Sequence, residues 1–99
     1  MKPTIAQLMM VKGENGDKVE IIKTLAPDWK KVGFLMDWRL NTYIEAEHAH
    51  RVNGPIICCQ EVFLRWLDTQ RATWGNLIEL LIDSEQKELA RQVKDAIGL

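Results

Sequence analysis

Cys59, Val62, Phe63, Trp66 and Leu67 form the strongest apolar stripe in the chain. Their three- and four-residue steps put them on one face of a helix. A helix of this length does not hold itself together in water, so that face has to be covered by other elements. The rest of the sequence supplies covers at the same helical spacing. Thr73 has the position of an N-cap before Trp74, Leu77, Ile78 and Leu81. Asp83 and Gln86 have capping-box spacing ahead of Leu89, Ala90, Val93 and Ile97, with Gly98 as the stop.

Upstream, the same reading continues in shorter pieces. Thr4 and Gln7 have capping-box spacing after Pro3, which predicts a helical turn through Ile5, Leu8 and Met9. Gly13 and the Asn15-Gly16 pair mark a loop. A helix is expected from near Asp17, with Val19, Ile22, Leu25 and Ala26 on its apolar face and Pro27 breaking it. Trp29, Val32, Gly33 and Met36 then repeat at helical steps, as do Leu40, Tyr43 and Ile44. Asn53-Gly54-Pro55 is a break, with Pro55 suited to the first turn of the helix that carries the main stripe. No strand alternation stands out.

The expected fold is therefore all-α: a six-helix antiparallel bundle in a single domain over residues 17–99, preceded by a lead and loop over residues 1–16 with a short extra helical turn. The expected core comprises Trp29, Cys59, Val62, Phe63, Trp66, Leu67, Trp74, Leu77, Ile78, Leu81, Leu89 and Val93. The tryptophans among them read as core rather than binding site, because each buries on the order of 200 Å².

The cysteines are neighbours, Cys58 and Cys59, and cannot staple distant parts of the chain. A reducing, cytoplasmic setting is the natural expectation. The N-terminal residues show no secretory pattern, and no apolar run approaches the roughly 18 residues needed to span a bilayer. Adjacent helical residues point about 100° apart, so Cys58 and Cys59 chelate one ion poorly, and His48 and His50 suffer the same misfit. No metal or cofactor is expected. A thiol redox sensor is the reading these cysteines would support: Cys58 lies one step off the stripe, partly exposed and oxidisable, whereas burial of Cys59 opposes ionisation. The glycines do not form a phosphate loop, and pairs such as Glu45/Glu47 and Glu85/Glu88 read as solvated faces, so enzymatic function has no positive support. A helical DNA-binding domain is a further alternative, but the net charge of −1 offers no excess of cations to neutralise phosphates.

The ordered run Cys59, Val62-Phe63, Trp66-Leu67, Thr73-Trp74, Leu77-Ile78 with Leu81, and Leu89-Ala90 with Val93 resembles a death domain of the death-fold superfamily. LAPDWKKVGFLMDW resembles the segment joining the first two helices, and Ile44–His48 the end of the third. FLMDW stands where the family more often turns at a Leu-Gly pair. The resemblance covers residues 17–97 and implies the death-fold type of bundle. It also implies a non-enzymatic adaptor role in intracellular death or immune-type signalling, through homotypic contacts with other death domains. Nucleic acid, membrane insertion and small-molecule substrates are not among the partners it implies. Charged helix faces carry such contacts. The candidates are a basic group at Lys30, Lys31 and Arg39, an acidic group at Glu79, Asp83, Glu85 and Glu88 opposed by Lys87, and a mixed face at Glu61, Arg65 and Asp68, opposite Cys59 and Trp66.

Overall fold

The computed structural model describes residues 2–13, 16–36 and 54–98. The described chain is mostly helical, and its elements pack around a shared core. In chain order they are α1 (Ile5–Met9), β1 (Val11–Lys12), β2 (Lys18–Val19), α2 (Ile21–Leu25), a 3-10 turn (Ala26–Asp28), α3 (Trp29–Met36), α4 (Pro55–Leu67), α5 (Trp74–Asp83) and α6 (Lys87–Ile97). The helix expected at Leu40–Ile44, together with Trp38, Arg39, His48 and His50, lies outside the described residues.

Local chemistry sets most of the boundaries. At α1 both halves of the capping box form: the Gln7 N–H donates to Thr4 Oγ1 at 3.2 Å, and the Thr4 N–H donates to Gln7 Oε1 at 3.0 Å. Pro55 occupies the first turn of α4. Thr73 caps α5, accepting the Asn76 N–H at 3.1 Å. Gly98 closes α6 with φ of 77°, a left-handed conformation that suits glycine.

The N-terminal region departs from the helical expectation. Val11 pairs with Val19 and Lys12 with Lys18 in a short antiparallel ladder. The turn closes through Gly13 N–H to Asp17 C=O at 2.8 Å, with Gly16 at φ of 83°. Val19 therefore belongs to a strand, and α2 begins at Ile21 rather than near Asp17. Both strands pack on α6, and Leu8, Val11 and Val19 join the same buried cluster as the helices. A boundary at residue 16 falls inside this hairpin. Pro27 does not separate two helices by a loop; it sits in a 3-10 turn that carries α2 directly into α3.

The Asp83/Gln86 spacing does not make a capping box. Asp83 is the last residue of α5, and the Gln86 side chain does not cap α6. Instead the Gln86 N–H reaches Leu81 C=O at 2.7 Å and the Glu85 N–H reaches Ile82 C=O at 3.1 Å. That is a Schellman closure, and it sets Glu85 in the left-handed region at φ of 64°.

The main stripe does face the core. Cys59, Phe63, Trp66, Trp74, Leu77, Ile78, Leu81, Leu89 and Val93 share one buried cluster, which Trp29 and Leu67 flank half-buried. Phe63 meets Trp66 edge to face, ring centroids 5.9 Å apart. Val62 points to a smaller cluster with Cys58, covered by Trp29 and Met36.

Candidate interaction surface

The charged residues sit on separate helices around this core. Lys30 and Lys31 project from the exposed side of α3. Burial of Val32 and Gly33 fixes the inner face of that helix and turns the lysines outward. The Lys30 ammonium lies 5.8 Å from the centroid of the Trp29 ring, close enough for a cation–π attraction. Arg39, the third member of the basic group, lies outside the described residues.

Glu79 and Asp83 are exposed on α5, one turn apart. The inward residues Leu77, Ile78, Leu80 and Leu81 hold that helix on the core and leave both carboxylates in water. Glu85 follows them, exposed on the left-handed turn. Side chains with a Cβ resist this conformation by about 1–2 kcal/mol, so an acidic residue stands where glycine would fit with less strain.

Glu88 is only partly a member of this group. Arg91 donates to it through Nε at 3.2 Å and also through Nη2, while Arg91 Nη1 reaches Asp95 at 3.1 Å. The hydrogen bond from Arg91 lowers the Glu88 carboxyl below its ordinary range, and the same bond raises the Arg91 guanidinium. The i,i+3 spacing of Glu88 and Arg91 was the readable signal for this pairing. The free acidic charge is thus centred on Glu79, Asp83 and Glu85.

The third face is divided. Asp68 is exposed at the C-cap of α4, while Glu61 and Arg65 are half-buried. Arg65 is therefore not the fully solvated charge that its place opposite Cys59 and Trp66 implies.

Both thiols are buried, Cys59 completely and Cys58 to within 7 % exposure. Cys58 is therefore not the partly exposed thiol its position off the stripe implies; Trp29 and Met36 cover it from α3. Burial, and secondarily the neighbouring Cys58, pushes the Cys59 thiol up to about 12 from an ordinary 9.0. Cys59 is thus a neutral thiol near pH 7, packed as a small apolar group.

A pH dependence follows. Below pH 9.0 folded and unfolded chains both keep the Cys59 proton; between 9.0 and 12 only the folded chain does. Stability is fully present below that window and falls as pH rises through it, by up to about 1.4 kcal/mol per pH unit. Urea titrations at stepped pH should show wild type losing stability more steeply than Cys59→Ala over this range. Parallel slopes would show that the thiol does not titrate differently on folding.

Among the described residues there is no group of three or more His, Cys, Asp or Glu side chains that could hold a metal ion. No described helix is long and apolar enough to cross a membrane. No protein-family model matches the chain, and no solved structure matches it.

Proposed function

We propose that this chain is a death-fold adaptor module that binds other death domains, including copies of itself, in intracellular death or immune-type signalling. The observation that carries this reading is the placement of opposite charges: Lys30 and Lys31 exposed on α3, and Glu79, Asp83 and Glu85 exposed on and just after α5. Different, complementary faces favour a head-to-tail contact, which propagates into rings or filaments instead of closing a twofold dimer. Charges at such a rim steer encounter and select the partner. The death-fold assignment draws support from the resemblance and from one core uniting Cys59, Phe63, Trp66, Trp74, Leu77, Leu81, Leu89 and Val93, with five of the six expected helices, α2 to α6, among the described residues.

Light scattering against protein concentration tests the reading. The average mass should rise above the 11.4 kDa of one chain as concentration increases, and fall back as salt screens the charged faces. A mass fixed at one chain over the whole range, with no capture of a death domain from another protein, would remove the homotypic reading.

A further inference from the structure

We infer that Phe34 is the apolar anchor of a self-contact, seating in the groove between α3 and α5 of a second copy. This rests on the homotypic reading above and identifies the residue that holds the contact once charge has steered it.

Phe34 is 64 % exposed, the most exposed large hydrophobic among the described residues. It lies four residues after Lys30 and three after Lys31, so all share the outward side of α3. An aromatic ring beside two cations has the composition of an interface anchor: aromatic residues in desolvated pockets dominate binding energy, while surrounding charges contribute little. The receiving groove has a volume of about 290 Å³. Leu35, Met36, Trp66 and Leu80 give it apolar surface, and Glu79 and Asp83 line it together with Asn76 and a single cation, Arg71. The knob thus carries two lysines, and the hole carries two carboxylates against one guanidinium, so the net charges are opposite.

The two parts do not obstruct each other. Leu35 and Met36 lie about 100° and 200° round the helix from Phe34, so α3 presents the knob on one side and a groove wall on another. The contact is heterologous, and each copy keeps a free knob and a free groove.

The test compares wild type, Phe34→Ala and Phe34→Leu by sedimentation at several salt concentrations, with thermal unfolding of each. Phe34→Ala should weaken self-association at least tenfold at every salt concentration and leave the salt dependence unchanged, because the lysines remain. Phe34→Leu should recover most of the lost association, and the unfolding temperature should stay near wild type, since Phe34 lies outside the core. Wild-type assembly that Phe34→Ala leaves unchanged would overturn this inference and leave the homotypic reading standing. A marked fall in unfolding temperature would also overturn it, by showing Phe34 to be structural. Wild type that stays monomeric would instead overturn the homotypic reading itself.

Discussion

Phe63→Ala is expected to remove about 3–5 kcal/mol of folding stability, the usual cost of deleting a buried aromatic ring. Phe63 has no exposed surface, and it stands at 88° to the Trp66 ring at 5.9 Å between centroids. The cost combines lost transfer energy, a cavity between α4 and its neighbours, and the loss of the edge-to-face contact. Domains of this kind hold a net stability of only about 5–15 kcal/mol. The variant should therefore unfold at a much lower urea concentration, or fail to fold at ordinary temperature. A change below about 1 kcal/mol would place the ring outside a well-packed core.

Reversing Lys30 and Lys31 to Glu is expected to weaken self-association by roughly 100-fold or more. Juxtaposing like charges costs several kcal/mol, and each 1.4 kcal/mol is a factor of ten. The fold should survive, because both side chains are exposed, and the contact of Lys30 with the Trp29 ring is worth about 0.5–1 kcal/mol. Circular dichroism reports the fold and sedimentation the assembly. If the reversed protein assembles as wild type does, these lysines are ordinary solvated surface.

Signals that act within a few residues of themselves were legible in the sequence. Thr4, Pro55, Thr73 and Gly98 each mark a helix end by local hydrogen bonding or backbone preference, and the structure uses each of them so. The stripe from Cys59 to Trp66 was legible because helical periodicity is a direct record of which face is buried. The hairpin was not. Strands of two residues are too short to display alternation, and Val11 and Val19 are buried through packing on α6, far away in sequence. Cys58 misled for a related reason: it lies off the stripe, but α3 arrives from elsewhere to cover it. Asp83 and Gln86 share the spacing of a capping box with a different motif, and only the backbone at Glu85 distinguishes them.

The candidate surface was legible as charge but not as pairing. Exposed Lys30, Lys31, Glu79, Asp83 and Glu85 follow from their places between apolar positions. Phe34 also falls outside the stripe of Trp29, Val32, Gly33 and Met36, which marks it as outward-facing. Its groove could not be read, because Trp66 and Leu80 join Met36 there only in the folded chain.

The most direct test of the head-to-tail contact mixes two charge-reversed proteins. One carries Lys30→Glu and Lys31→Glu, the other Glu79→Lys and Asp83→Lys. Each alone presents like charges across the contact and should sediment as a single chain. Mixed in equal amounts, they restore opposite charges and should assemble together. Assembly of either variant alone at wild-type strength, or a mixture that remains monomeric while both proteins are folded, would contradict the account.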